Sequence, residues 1–102
     1  MTPARLQATD QPGRLRLEGA LEIATVRSLW QQSGELLPRP EEVVIDLGGV
    51  TRADSAGVAL LIHWTREQRH HGGSVEFVNI PDQMQAIARV SGVDTILPLQ
   101  RA

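Results

Sequence analysis

Polar and apolar residues alternate over Arg14-Leu15-Arg16-Leu17-Glu18, the period of two expected of a half-buried strand. A weaker partner, Arg5 to Thr9, precedes it across Gln11-Pro12-Gly13, so the two segments predict a hairpin, with Gly19 ending its second strand. The period then changes. From Glu22 to about Leu37 the apolar residues Ile23, Val26, Leu29, Trp30 and Leu37 recur at helical spacing, with Arg27, Gln31, Gln32 and Glu35 filling much of the other side. Pro38-Arg39-Pro40-Glu41 carries turn chemistry. The run Val43-Val44-Ile45-Asp46-Leu47, between Pro40 and Gly48-Gly49, predicts a strand covered on both faces.

A second helix is expected from about Ser55 to His70, stopping at Gly72-Gly73. Ser74 to Val78 reads as another strand. Pro81-Asp82 opens a third helix with Met84, Ile87, Ala88 and Val90 inward and Gly92 as its terminator. Thr95-Ile96-Leu97 is a candidate last strand before Pro98. No repeat, low-complexity tract or linker divides the chain, so residues 1–102 predict a single domain. The alternation implies an α/β fold: a mixed sheet of four to five strands, right-handed crossovers, and helices packed on it.

Composition narrows the function. The chain has no cysteine, which excludes disulfides, thiolate metal sites and cysteine nucleophiles. Its basic residues are all arginine, and ten of them stand against twelve acidic residues for a net charge of -2. That balance provides no broad positive field for nucleic acid or anionic lipid. The longest apolar run, Val58 to Ile62, is far short of the ~20 residues that span a bilayer. Met1 to Asp10 lacks the layout of a secretory signal, and the expectation is a cytoplasmic protein without direct membrane insertion. The glycine pairs lack the lysine of a phosphate-binding loop, so if ATP is involved another subunit binds it. The G-x-S-x-G elbow is absent as well. No catalysis and no cofactor are expected.

The informative stretch is Asp46 to Gly57, which leaves a strand and enters the second helix. Asp54 or Ser55 can cap that helix by accepting its orphan N–H groups, and Gly57 permits close approach of a neighbouring backbone. With residues about 100° apart, Val58, Leu61, Ile62, Trp64 and Thr65 fall on one arc, facing the sheet. Ser55, Ala56, Ala59, Leu60, His63 and Glu67 fall outside it. A face of that composition predicts a docking surface for another protein, formed by Ser55, Ala56, Ala59, Leu60 and His63; an exposed apolar patch without a role is the bland alternative. Asp54 is expected to cap and turn, since no second carboxylate stands beside it. His63, Glu67 and His70 share a helix face at metal-like spacing but lack a third ligand element, so no metal is expected. His70-His71 are placed to interact with the helix C-terminal carbonyls. Trp30 and Trp64 are expected in the core.

The strand Val43–Leu47, the turn Asp54-Ser55-Ala56-Gly57 and the apolar helix after it resemble a STAS domain, the fold of anti-anti-sigma factors and related small bacterial subunits. Leu17-Glu18-Gly19-Ala20-Leu21-Glu22 resembles that family's Gly-x-Leu-Asp lead into its first helix, with Glu22 in place of the usual aspartate. Leu29-Trp30 and the run Ala59-Leu60-Leu61-Ile62-His63 are most similar to the STAS subunit of Mla-type phospholipid ABC transporters. This resemblance implies a partner: the ATPase subunit of a complex that moves phospholipids to maintain outer-membrane lipid asymmetry, and through it the permease, at the inner membrane. The anti-anti-sigma branch implies instead that Ser55 is phosphorylated by a partner kinase, adding about -1.5 to -2 charges to the docking face. A small-ligand sensor is a third class within the family.

Overall fold

The computed structural model describes residues 4–93. In chain order these form β1 (Arg5–Ala8), β2 (Arg14–Leu21), α1 (Ile23–Gln32), a 3₁₀ turn (Ser33–Glu35), β3 (Glu42–Ala53), α2 (Ser55–His70), β4 (Ser74–Val78) and α3 (Asp82–Val90). The candidate strand at Thr95–Leu97 lies outside the described residues. The four strands make one mixed sheet in the order β1-β2-β3-β4. β1 and β2 are antiparallel, as the hairpin reading requires, and β2, β3 and β4 run parallel.

The steps β2-α1-β3 and β3-α2-β4 cross the sheet in the same direction. Right-handed crossovers therefore place both helices on one face. There α2 packs between α1 and α3. Leu15 and Leu17 of β2, Val43, Ile45 and Leu47 of β3, and Val75 and Phe77 of β4 point into this layer and are buried. Val58, Leu61 and Trp64 of α2 and Met84 and Ala88 of α3 fill it from the other side.

Several expectations require correction. β3 is not covered on both faces: Val43, Ile45 and Leu47 are buried, whereas Val44 and Asp46 between them are half-buried on the open face. Val44 hid the alternation by being apolar on that face. Nor does β3 end at Gly48-Gly49, for it runs on to Ala53. A Cβ at Gly49 would stand 2.7 Å from the Glu18 Cβ, so this glycine makes room for β2. Gly19 does not end β2 either; at φ +94 it carries the chain through a register shift against β3, and the strand continues to Leu21. α1 stops at Gln32, short of Leu37. Val90 is 90% exposed.

Both ends of α2 are anchored by side chains. At its C-terminus Gly72 takes φ +82, the left-handed stop the sequence predicts. Beside it Gln68 is fully buried. Its Oε1 accepts the Arg39 N–H at 2.6 Å, and its Nε2 donates to the Glu41 and Ser74 carbonyls at 3.1 Å each. One side chain thus satisfies three backbone groups where β3 and β4 begin. Replacing Gln68 with leucine leaves those groups buried and unpaired, so urea denaturation should show a loss of about 2–4 kcal/mol.

On the open sheet face Asp46 accepts from Asn79 Nδ2 at 3.0 Å and from the Gly48 N–H at 2.8 Å, and pairs with Arg14 at 3.2 Å. Burial pushes its pKa up, but these bonds and the arginine charge outweigh it and leave the carboxyl below its ordinary value. A carboxylate depressed in the folded state contributes stability above its unfolded pKa of about 3.9. That contribution fades as pH falls through the lower folded value. Asp46→Asn should therefore be less stable than wild type at pH 7. Denaturation repeated at about pH 2–3 should show the difference shrinking, because wild type loses the same contribution as Asp46 protonates.

Candidate docking site

Parallel β2 and β3 both deliver the chain to the same edge of the sheet, where α1 and α2 begin side by side. Asp54 is the N-cap of α2: its Oδ1 accepts the Ala56 N–H at 2.8 Å. Its Oδ2 accepts the N–H of Ile23, the first residue of α1, at 3.4 Å. Its own N–H donates to the Leu21 carbonyl at 3.0 Å. One residue thus ties both helix starts to the end of β2. Gly57 makes the close approach anticipated from its size, for a Cβ there would stand 2.9 Å from the Leu21 Cβ and 3.1 Å from the Leu21 oxygen.

The cap belongs to Asp54, which leaves Ser55 as the exposed first residue of α2. Ala56 and His63 are half-buried and Ala59 is exposed, as the docking reading needs. Leu60 is different. It is only 1% exposed and belongs to the core, so it cannot contribute surface to that face. A helical wheel drawn against the sheet alone misses the reason: α1 and α3 flank α2, and the buried arc is turned by about 40° from the expected one, so that it takes in Leu60 and leaves Ile62 at its edge.

The reverse correction applies to Trp30. It is not core but 48% exposed, and its indole stacks on His63 with ring centroids 3.8 Å apart and planes inclined at 38°. Ile23 is 81% exposed. With Val26, Arg27, Gln31 and Ala56, these two residues line an open cleft of about 650 Å³ between α1 and the start of α2. The α1 wall was not among the expected docking residues. Its signal was present in Leu29-Trp30: adjacent helical residues lie about 100° apart, so both cannot occupy the centre of one buried stripe, and Leu29 takes it with no exposure.

Several other polar groups at this edge are paired within the chain. The Glu22 N–H donates to Thr25 Oγ1 at 3.0 Å, and Thr25 Oγ1 donates to the Ala20 carbonyl at 2.5 Å. Glu22 Oε1 is buried and meets the Arg52 guanidinium as a charge contact without hydrogen-bond geometry. Gln83 at the start of α3 accepts the Ala53 N–H at 3.1 Å and supports the turn from the other side. His63, Glu67 and His70 form no ligand cluster; among the described residues no group of three or more His, Asp or Glu is arranged around a metal position. His71 Nδ1 lies 2.9 Å from the Glu67 carbonyl, the helix-end contact expected of this histidine pair. No helix among the described residues is long and apolar enough to cross a membrane.

Comparison with known proteins identifies the family. A family profile described as "Mlab, STAS domain" matches residues 4–99. A comparison with curated sequences returns no significant match. Among solved structures, an anti-sigma factor antagonist from Mycobacterium paratuberculosis is similar with a TM-score of 0.73 at 22% identity, over 100% of this chain and 86% of that one. The anti-sigma factor antagonist SpoIIAA in its unphosphorylated form is similar at 0.70 and 15% identity, over 97% and 87%. The murine anion transporter Slc26a9 contains the same fold within a larger chain, at 0.67 and 16% identity, over 97% of this chain and 20% of that one. The fold is thus shared with known structures, and the chain belongs to the STAS domain family.

Proposed function

We propose that this STAS domain is a non-catalytic subunit that docks on the ATPase of an Mla-type phospholipid ABC transporter, lies peripherally at the inner membrane through that complex, and favours its assembled state. The family description supports this reading. The single structural observation that carries it is the exposed apolar wall of Ile23 and Trp30 beside Ala56 and Ala59. A bound subunit shifts its partner's equilibrium only through contacts that differ between the partner's states, and an aromatic anchor in a preformed cleft is the kind of contact that supplies them.

A second reading, an anti-sigma factor antagonist switched at Ser55, has its own support. Ser55 is exposed and not used as the cap, and the structural neighbours include two such antagonists. Phosphate at the first residue of α2 would meet a favourable helix dipole, so modification would act on docking rather than on folding.

The two readings separate in a pull-down of tagged protein from its own cells. Recovery of an ABC ATPase with its permease supports the transporter subunit; recovery of a serine kinase or anti-sigma factor instead overturns it. Ser55→Glu and Trp30→Ala should each weaken the ATPase complex by roughly tenfold or more, about 1.4 kcal/mol. Ser55 is exposed, so Ser55→Glu should stay within about 0.5 kcal/mol of wild-type stability. Trp30→Ala also loses the stack on His63 and should cost more, about 1–2 kcal/mol, while remaining folded. Leu60→Arg does not serve this purpose, since it would bury a charge in the core.

A further inference from the structure

The charges around the cleft carry information beyond its apolar lining. Four ionisable residues surround the paired helix starts: Glu22, Arg27, Arg52 and Asp54. Three are satisfied within the chain. Glu22 pairs with Arg52, and Asp54 accepts from the Ile23 amide of α1 and the Ala56 amide of α2. Arg27 has no ion-pair partner among the described residues, and it is the only ionisable residue on α1. It is exposed, one turn before Trp30, and it lines the cleft with Ile23, Val26 and Ala56. The two N-cap carboxylates are already committed: Glu22 at the start of α1 is paired with Arg52, and Asp54 faces two helix dipoles of about half a positive charge each. Asp82, the nearest acid on α3, stands in that helix's own first turn. Arg27 is therefore the charge left uncompensated at this edge, on a chain whose net charge is -2.

Resting on the docking reading above, we infer that the cleft receives a segment of the partner ATPase that carries an apolar anchor with a carboxylate beside it. The anchor lies against Ile23, Val26 and the Trp30 face, which His63 backs from behind. The carboxylate meets Arg27, whose guanidinium offers a planar pair of donors. An acidic partner also gives Ser55 a specific role. Ala56, the residue after it, lines the same cleft, so negative charge at Ser55 competes for Arg27 and repels the incoming carboxylate.

The test measures association and dissociation rates of the ATPase recovered on the wild-type protein, against Arg27→Gln, Arg27→Glu and Trp30→Ala. Arg69→Glu, at the far end of α2, controls for net charge. A charge on the rim of an interface acts mainly on association. Arg27→Glu should slow association roughly tenfold or more at low salt, with Arg27→Gln intermediate and Arg69→Glu near wild type. The gap should close between about 0.01 M and about 1 M salt, as the screening length falls from about 30 Å to about 3 Å. Trp30→Ala should instead speed dissociation. If Arg27→Glu associates like wild type while Trp30→Ala loses affinity, the acidic partner is overturned and the docking cleft stands. An Arg27→Glu defect that salt does not alter overturns it as well. If neither Arg27→Glu nor Trp30→Ala changes binding, the cleft is not the interface and both readings fall.

Discussion

The carboxylate of Asp54 sits where two helices and a strand meet, and the geometry of the candidate docking edge depends on it. An α-helix begins with N–H groups that have no partner within the helix. Here two such ends lie side by side, and one side chain accepts from both, at Ala56 and at Ile23. Its own amide holds the turn to Leu21. Gly57 lets α2 approach that strand end closely enough for the arrangement to close. The relative position of α1 and α2 at this edge, and hence the width of the cleft between them, follows from this junction.

The opposite end of α2 is fastened by different chemistry with the same consequence. Gln68 collects three backbone partners from the segment before β3 and from the start of β4. Gly73 completes the contact, because a Cβ there would collide with the Arg39 and Glu41 carbonyl oxygens. With both ends pinned, α2 is held as a rigid element whose outer face needs little ordering on association. Preformed surfaces of this kind lose less conformational entropy on binding, which favours a small cleft with a single aromatic wall as an effective interface.

Much of this was legible in the sequence wherever punctuation is local. Pro12-Gly13, Gly72-Gly73 and Pro81-Asp82 placed the hairpin, the end of α2 and the start of α3, and Asp54-Ser55 placed the start of α2 at Ser55. Positions that depend on a third element were not legible. Leu60 and Trp30 exchanged their expected environments because a wheel against the sheet knows nothing of flanking helices. Val44 disguised an open sheet face, and Gly48-Gly49 resembled a strand end although Gly49 gives passage to Glu18. Gln68 gave no signal at all, since its partners lie 6 to 29 residues away along the chain.

The division of labour between Asp54 and Ser55 bears on both of the functions proposed for this chain. Had Ser55 been the cap, its hydroxyl would have been committed to the helix, and any modification would have cost the helix its first hydrogen bond. With Asp54 as the cap, that bond is already made, and Ser55 adds nothing the fold requires. Charge placed on Ser55 then acts where Ala56, Arg27 and the Trp30 wall converge, and the dipole of α2 tolerates it. The proposed docking face, built this way, can change affinity without changing stability. That independence is what a regulatory docking face needs, whether its occupant is exchanged by phosphorylation or held permanently in a complex.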